Sequence, residues 1–489
     1  MRFLLTFVQK HEDFRLAEFD AVLKLNGLAS NATYSRNDYS AESPYMVAEF
    51  PSEAAASAVC DRAILIKSVM EIWASGSTYE EIKAQPLDPL LTAFHTAANK
   101  SWALMVDAFG ISLSLEEQEL RRGHFRHLNF QGPVKCRDPD TSAWVHEQHP
   151  VGAGGLVAAG GAPSRIYLGR EVARSKGRKL VSACDLKKRA YLGPTSMDNE
   201  LSLIMANMGL VKKGALVMDP FVGTGSILVA CANFGAATFG LDIDVRVLRG
   251  KGGSNPFSNF EQYGLPFPEV VRCDSSMHGR HFRAHPEGLY DAIVCDPPYG
   301  IRAGARKAGS RPSKEKAVKP IPAETRLDHI PQTQPYPVED VLIDLLDLAA
   351  QNLATGGRLV YWLPTTYDFT NADLPRHPCL EGVANSEQPL NQKYGRRLIT
   401  MEKRGRYDPL QKAHYDTVVA SSASRPFSQL REKMEGDGLA GSLDRREAGR
   451  EAKRQKTRDS ENDSKPPEGS SVPACAAAAA AKDEADQTR

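Results

Sequence analysis

The chain has 489 residues, of which 42% are hydrophobic and 25% are charged, a balance typical of globular proteins with about three domains at this length. Its net charge of +1 gives no support to binding through bulk basicity, so a nucleic-acid partner would need clustered positive charge. The eight cysteines form no CxxC pair, and no apolar run approaches the ~20 residues of a membrane span. These features argue against a disulfide scaffold and a membrane protein, and we expect a cytoplasmic protein without a bound metal.

The first 70 residues alternate between apolar strands and amphipathic helices. This alternation predicts a small α+β domain. The predicted elements are a strand at 3–8, a helix at 14–25, a strand at 45–50 and a helix at 52–63.

Residues 71–185 continue with a strand signal at 102–110 and a helical pattern at 113–120. A single basic run is usually a solvated face, but two basic stretches here flank a glycine-rich, loop-like strip at 151–162. Their concentration predicts a nucleic-acid surface. The candidate RNA-binding residues are Arg121, Arg122, Arg126, Lys135, Arg170, Arg174 and Arg178.

Residues 219–226 read DPFVGTGS between an apolar run at 215–218 and a helix-forming run at 227–232. The motif therefore lies on a strand-to-helix turn. Gly223 and Gly225 let the backbone bend sharply and approach a ligand without a Cβ in the way. Ligands of open α/β sheets bind at this carboxyl edge of the strands.

Three further strands each end at an acidic residue. A strand at 238–241 ends at Asp242, about 20 residues beyond the turn, where an acidic residue binds ribose hydroxyls in nucleotide-binding units; Asp244 is the competing candidate. A strand at 269–273 ends at Asp274, whose carboxylate could accept a hydrogen bond from the adenine amino group of a methyl donor. With Asp219 and Asp296, this ordered series is typical of S-adenosylmethionine-dependent methyltransferases.

Residues 296–300 read DPPYG after an apolar strand at 291–295. The motif suits a flat ring that carries an exocyclic amine, because the Asp296 carboxylate and the Pro297 carbonyl can each accept an N–H. Pro297 and Pro298 stiffen this loop, and Tyr299 can stack on the base. A paired base would first have to be flipped out.

The second half of the chain completes an α/β domain at 186–407, with further strands predicted at 358–363 and 397–401. A Pro-rich, basic insertion at 301–337 interrupts this domain, and we expect it to be mobile and to touch no motif. The charged tail at 424–489 is predicted to be disordered. Its basic tetrad at 453–456 leaves a nuclear fraction open.

Long stretches of the chain resemble the catalytic subunits of eukaryotic tRNA (guanine-10-N2)-methyltransferases. The resemblance covers residues 1 to about 407 and is carried by four stretches, namely 166–178 (IYLGREVARSKGR), 188–198, 200–211 (ELSLIMANMGLV) and 218–230 (MDPFVGTGSILVA). It implies a ferredoxin-like segment at 1–70, a THUMP RNA-binding domain at 71–185 and a Rossmann-like class I methyltransferase domain with a seven-stranded, mostly parallel sheet.

The same resemblance implies the roles of individual residues. Asp296, Pro297 and Tyr299 would receive guanine N2. The S-adenosylmethionine donor would be held by Phe221, Gly223, Gly225 and Asp242, with Thr195 and Ser196 in the same pocket. The family also works with a small zinc-binding activator subunit, for which the strand at Val270 and Val271 is the candidate edge.

Rival functions remain open from the residues alone. The chain could methylate another guanosine N2 or an adenine N6, or it could be a non-catalytic RNA-binding protein that retains a methyltransferase fold. The basic N-terminal region argues against a glutamine side chain as the acceptor, and the resemblance at 188–198 argues against DNA. The intact Asp296 and Tyr299 argue against a non-catalytic protein.

Overall fold

The computed structural model describes residues 1–87, 100–128, 130–150, 161–283, 285, 287–298, 305–309, 332–392 and 394–422. Tyr299, the strip at 151–160, most of the insertion (301–304 and 310–331) and the tail at 424–489 lie outside the described residues. The predictions about these segments therefore stay predictions.

The N-terminal half of the chain forms one seven-stranded sheet in the order β2-β3-β1-β4-β7-β6-β5. Strands β5 and β6 pair in parallel, whereas the other neighbours are antiparallel. The strands are β1 (Arg2–Phe7), β2 (Thr33–Tyr34), β3 (Tyr45–Glu49), β4 (Ile66–Gly76), β5 (Trp102–Phe109), β6 (Thr141–Gln148) and β7 (Arg165–Arg174). The helices are α1 (Arg15–Leu25), α2 (Glu53–Arg62), α3 (Tyr79–Lys83), α4 (Leu115–Gly123) and α5 (Gly177–Ala183).

The predicted α+β character of this half is confirmed, and local capping explains where its helices begin. Helix α2 begins after Ser52, whose side chain accepts the backbone N–H of Ala55. Helix α4 begins later than predicted because Ser114 and Glu117 form a capping box, in which each side chain accepts the other's backbone N–H. Such a cap satisfies donors that the first turn leaves without partners.

Strand β4 joins the two N-terminal segments into one sheet. It pairs with β1 along one edge and with β7 along the other, so the predicted boundary at residue 70 falls within a strand. Neither β4 nor β7 was predicted. The register of β4 shifts twice against β7, which breaks the alternation expected of a strand, and β7 contains the residues interpreted above as a basic stretch.

The second half of the chain forms another seven-stranded sheet, in the order β10-β9-β8-β11-β14-β16-β15. Strands β10, β9, β8, β11 and β14 run parallel, and β16 is antiparallel to both of its neighbours. The predicted seven-stranded, mostly parallel sheet is thus confirmed. Its strands are β8 (Leu216–Asp219), β9 (Ala237–Asp242), β10 (Glu269–Arg272), β11 (Tyr290–Cys295), β14 (Leu353–Thr366), β15 (Leu380–Pro389) and β16 (Tyr394–Lys403).

Helices cover both faces of this sheet. They are α6 (Asn199–Met208), α7 (Ser226–Asn233), α8 (Val245–Arg249), α9 (Pro256–Gln262), α10 (His278–His281), α11 (Val338–Asn352) and a last helix, α12, at 412–422. A separate two-stranded hairpin pairs β12 (Arg306–Ala308) with β13 (Thr333–Pro335). Of the helices in the described ranges, none has both the length and the apolar composition needed to cross a bilayer.

Helix α6 connects the two sheets, and all ten of its residues are buried. It packs against α1 on one side and α7 on the other. One apolar cluster extends from Phe3 in β1 to Leu398 in β16, and the rings of Phe14 and Trp362 lie 5.9 Å apart across the junction. The N-terminal sheet is therefore docked on the second sheet through a common core.

A buried polar cluster lies inside this junction. The Glu18 side chain, 1% exposed, accepts the backbone N–H groups of Ile64 and Leu65 at 2.9 and 2.8 Å and the amide of Asn207 at 2.7 Å. Arg62 donates to Asn207 Oδ1 at 2.6 Å. Burial, opposed by these hydrogen bonds, raises the pKa of Glu18 above its usual value. Since buried polar groups are costly unless partnered, the cluster fixes how α1 meets α6.

We predict that Glu18→Ala lowers the free energy of unfolding by about 3 kcal/mol, because two buried backbone donors lose their acceptor. Thermal or urea unfolding measures the effect. Glu42→Ala is the control, since Glu42 is an exposed carboxylate of the same domain and its loss should change stability by less than ~0.5 kcal/mol. Equal stability of the two variants would contradict a structural role for Glu18.

Candidate active site

Four aspartates lie along the carboxyl edge of the second sheet, as expected from the sequence. Asp219 and Asp242 end β8 and β9, while Asp274 and Asp296 follow β10 and β11. Because β10, β9, β8 and β11 are adjacent and parallel, these carboxylates meet at one edge. This is where open α/β sheets bind ligands.

A cavity of about 700 Å³ opens at this edge, within the size range of small-molecule sites. Gly225 does not line it, and a Cβ at this residue would face Phe260 and Pro256 of α9. The predicted site residues that line the cavity are Thr195, Ser196, Asp219, Phe221, Gly223, Asp242, Asp274, Asp296, Pro297 and Pro298.

The glycine turn depends on backbone conformations that other residues avoid. Gly223 has a φ of +51° and Gly225 a φ of +82°, both in the left-handed region that favours glycine. The N–H of Gly223 donates to Asp242 Oδ2 at 2.9 Å. The turn after β8 is therefore tied to the end of β9, and its shape is held in place before any ligand binds.

The structure distinguishes Asp242 from Asp244. Asp242 accepts the backbone N–H groups of Gly223 and Asp244 at 2.9 and 2.8 Å, and burial raises the pKa of its carboxyl. Asp244 instead forms a two-point ion pair with Arg246 at 2.8 and 2.7 Å, and its hydrogen bond to that guanidinium lowers its pKa. Asp242 is thus the better placed acceptor for a ligand hydroxyl.

Asp219 forms the buried floor of the cavity. Its side chain is 1% exposed and accepts the N–H of Phe221 at 2.9 Å. Burial raises its pKa well above the usual value, and the nearby charges of Asp242 and Asp296 act in the same direction. Like charges near one another disfavour ionisation, so a cation bound here would be stabilised.

The chain segment that leaves the N-terminal domain forms one wall of the cavity. Ser196 Oγ lies 2.7 Å from Thr224 Oγ1 in the glycine turn, and buried Arg189 donates to Ser226 Oγ at 2.8 Å. Asn259, fully buried, donates to the carbonyls of Tyr191 and Thr224. Asn259 was not predicted as a site residue, since nothing in its local sequence marks it.

The ends of the insertion touch two motifs, which corrects the expectation that it touches none. Ala305 and Tyr336 are buried against Phe221, and the N–H of Ala308 donates to Asp274 Oδ2 at 2.5 Å. Hairpin β12–β13 thus packs beside the glycine turn. The residues at 310–331, between its strands, lie outside the described part of the chain.

Asp274 has more protein partners than its predicted role requires. Its Oδ1 accepts the N–H and the hydroxyl of Ser276 at 2.9 and 2.7 Å, in addition to Ala308 on Oδ2. A carboxylate offers about four acceptor positions, so three of these are taken. A contact to an adenine amine would use the fourth.

The other end of the cavity is built around Asp296 and β16. The Asp296 side chain is 24% exposed, and its Oδ2 lies 3.8 Å from Nη1 of Arg396. Arg396 was not predicted as a site residue. Pro364, Leu390, Asn391 and Tyr394 line the same region, while Tyr299 lies outside the described residues.

The predicted RNA-binding residues fall into two groups. Arg121, Arg170 and Arg178 form ion pairs with Glu147, Glu53 and Glu200, respectively, and none of the three is more than about a third exposed. Arg126 and Arg174 also pair with Glu119 and Glu171, at 3.1 and 2.6 Å, but they remain largely exposed, at 77% and 63%. Lys135 is also exposed, and Arg122 lies 3.4 Å from Glu119.

His278 has a structural partner. Its Nε2 lies 3.3 Å from Asp347 Oδ2, and Asp347 also accepts from Tyr407 and Lys412. Across the described residues, no three histidine, cysteine or acidic side chains converge in a way that could hold a metal ion. His278 therefore joins α10 to α11, while Lys412 joins the start of α12 to the same carboxylate.

Two family models match the chain. Residues 1–177 match the Tmrp11 THUMP N-terminal domain, and residues 187–312 match the RMKL-like, methyltransferase domain. The second match includes the glycine turn and the DPPYG motif.

Curated relatives match most of the chain. The tRNA (guanine(10)-N(2))-methyltransferase TRMT11 of Dictyostelium discoideum is 37% identical over 82% of this chain and 82% of its own length. The human protein of the same name is 36% identical, over 82% of this chain and 88% of its own length. Among solved structures, TrmN from Thermus thermophilus has 17% identity and a TM-score of 0.39 over 82% of this chain and 100% of its own. At that low similarity the fold class rests on the strand order above.

We predict that Asp242→Ala weakens binding of S-adenosylmethionine about 10- to 100-fold, because a charged acceptor of a hydroxyl contributes ~1.5–3 kcal/mol. Isothermal titration calorimetry measures the change. Asp244→Ala is the matched control and should bind the donor like the parent protein, since its carboxylate is already paired with Arg246. If Asp244→Ala showed the larger loss, the two roles would have to be exchanged.

Proposed function

Because the chain belongs to the family of tRNA (guanine(10)-N(2))-methyltransferases, we propose that it transfers a methyl group from S-adenosylmethionine to the exocyclic N2 amine of a guanosine in tRNA, with guanosine 10 as the favoured position. One observation carries the proposal: the glycine turn with Asp242 and the Asp296-Pro297 motif line the same cavity. The site for the methyl donor therefore adjoins the site for the amine that receives the methyl group. We also keep the division into 1–70, 71–185 and 186–407 as a proposal, with β4 shared by the first two segments.

The residues present fit S-adenosylmethionine. When bound, this cofactor supplies an electrophilic methyl group on a positively charged sulfonium. Gly223 brings backbone close to the ligand without a Cβ, and Asp242 offers an acceptor for ribose hydroxyls. Buried Asp219 accepts the N–H of Phe221 and so holds the turn below them. Thr195 and Ser196 close the wall from the interdomain segment.

Asp296 and Pro297 prepare the amine for attack. The N2 lone pair of guanine is conjugated with the ring, so planar N2 is a poor nucleophile. If the Asp296 carboxylate and the Pro297 carbonyl each accept one N–H, both hydrogens of N2 point towards these two oxygens. The lone pair of N2 can then point towards the methyl group. After transfer the nitrogen carries an extra proton, which is readily lost.

The N-terminal sheet is proposed to bind the tRNA backbone. Its family match is to a THUMP domain. Arg126, Lys135 and Arg174 are exposed, although Arg126 and Arg174 also pair with neighbouring glutamates. Arg121, Arg170 and Arg178 are better explained as structural ion pairs that orient this surface. Contacts to phosphate would place the substrate without reading its sequence.

Strand β10 offers a surface for a partner. It lies at one edge of its sheet. Three apolar side chains are exposed here, namely Val271 in β10 (44%), Phe267 just before it (62%) and Phe257 in α9 (37%). The rings of Phe257 and Phe267 contact each other at 5.9 Å. We propose that a small zinc-binding activator subunit pairs with this edge and covers these side chains.

We predict that Asp296→Ala lowers methyl transfer about 100- to 1,000-fold, the usual cost of losing one transition-state acceptor or donor, and leaves S-adenosylmethionine affinity unchanged. Mass spectrometry of N2-methylguanosine in an unmodified tRNA transcript measures the product. Asp291→Ala is the control, because Asp291 begins the same strand at the opposite edge. Parent-like turnover in Asp296→Ala would refute the catalytic assignment.

For RNA binding, we expect the double variant Arg126→Gln/Lys135→Gln to bind tRNA more weakly. Its affinity should also depend less on salt, by about one unit of slope per lost phosphate contact. Filter binding across salt concentrations checks both effects. Lys212→Gln/Lys213→Gln removes the same charge before β8, at the far edge of the second sheet, and should bind like the parent. Identical curves for all three proteins would rule out this surface.

For the partner, we predict that Phe267→Asp/Val271→Asp abolishes co-purification with the activator subunit while the thermal unfolding of the single chain stays unchanged. The substituted side chains are already exposed, so their loss costs little in the isolated chain. Val383→Asp is the control, since Val383 is 42% exposed on β15 at the other edge of the sheet. Retained co-purification in the double variant would exclude this edge as the docking site.

A further inference from the structure

Strand β16 reaches the active site with its beginning, in contrast to the strands that reach it with their ends. It runs antiparallel to β14, with Arg396 opposite Pro364 and Tyr394 opposite Thr366. Its first residues therefore lie at the carboxyl edge of the parallel strands. This places the Arg396 side chain in the cavity, next to Asp296.

The guanidinium of Arg396 is held on several sides. Its Cζ lies 3.9 Å above the ring of Trp362, which is fully buried. Its Nε donates to Gln388 Oε1 at 2.8 Å, and its Nη2 lies 3.9 Å from Met197 Sδ. A planar group that is stacked on a ring and bound through Nε has its orientation fixed, and with it the direction in which its Nη1 and Nη2 groups point.

Arg396 and Asp296 are close enough to face one ligand edge together. Nη1 and Oδ2 are 3.8 Å apart, longer than the ~2.7–2.9 Å of a direct charge-assisted hydrogen bond. The site thus presents a fixed acceptor and a fixed donor side by side. Such a pair matches a ring edge on which a donor group adjoins an acceptor atom.

We propose that Arg396 donates from Nη1 to the ring nitrogen N3 of the target guanine while Asp296 accepts from the adjoining N2 amine. This inference rests on the proposed function. On guanine, the amine has an acceptor, N3, on one side and a donor, N1–H, on the other. Arginine can only donate, so it admits the base with its N3 side towards β16 and rejects the opposite orientation. Arg396 would thereby set the orientation of N2 relative to the methyl group.

The test combines an atomic change in the RNA with a change in the protein. A tRNA that carries 3-deazaguanosine at the target nucleotide lacks the N3 acceptor but keeps N2. With parent enzyme, kcat/KM for this tRNA should fall about 10- to 100-fold, the range for a hydrogen bond to a charged group. The Arg396→Met variant should show a similar fall in kcat/KM on normal tRNA. The deaza substrate should lower its kcat/KM no further.

Controls separate this contact from a structural effect. Arg396→Lys keeps a donor and should recover part of the activity on normal tRNA only. Arg397→Met, on the next residue of β16, should stay as active as the parent protein, because Arg397 is paired with Glu387 at 2.7 Å and lies over Phe369. Affinity for S-adenosylmethionine should be unchanged in all three variants.

Two results would overturn the inference: full activity of parent enzyme on the deaza substrate, or losses from the two changes that simply add. The first needs no variant, so it decides the matter even if Arg396→Met fails to fold. Failure of the proposed function itself has another signature, namely Asp296→Ala with undiminished turnover. If Asp296→Ala is inactive while the parent enzyme keeps full activity on the deaza substrate, only the role proposed for Arg396 is refuted.

Discussion

The parallel alignment of β10, β9, β8 and β11 is the constraint on which the site depends. Parallel strands end at the same edge, and their registers set Asp219 opposite Gly240 and Arg272 opposite Asp242. Neighbouring strands lie ~4.8 Å apart, so the row from Asp274 to Asp296 spans roughly 14 Å. That length can accommodate a nucleoside with an extended side chain. A change of strand order would separate groups that must act on one ligand.

The attachment of the N-terminal sheet is linked to the same cavity. Residues 189–197 connect the first domain to α6, whose Asn207 meets Glu18 and Arg62. The last three of these residues line the cavity. A second polar contact joins Lys24 to Glu402, which also pairs with Arg358. The position of the N-terminal sheet, for which we propose RNA binding, and the shape of the cavity therefore depend on one connecting segment. A change at the junction would alter both.

The sequence was informative where the signal is local. The strand, turn and helix around Gly223 and Gly225 occupy contiguous residues, so their order was predictable along with the acids at the strand ends. The ion pairs were not, because Arg121 and Glu147 are 26 residues apart and Arg170 and Glu53 are 117 apart. Arg396 was not predicted for another reason: it lies in the first residues of a reversed strand, whereas the predicted acids follow the ends of parallel strands.

The buried junction also bears on how the chain matures during synthesis. Arg62 and its partner Asn207 are 145 residues apart, and ribosomes add about 5–20 residues per second, so α1 and α2 emerge on the order of ten seconds before α6. During that interval the apolar side of α1 has no α6 to cover it. The early domain is then a natural client for chaperones, and slow codons between β7 and α6 would lengthen its exposure. Yield in cells would thus depend on translation speed as well as on final stability.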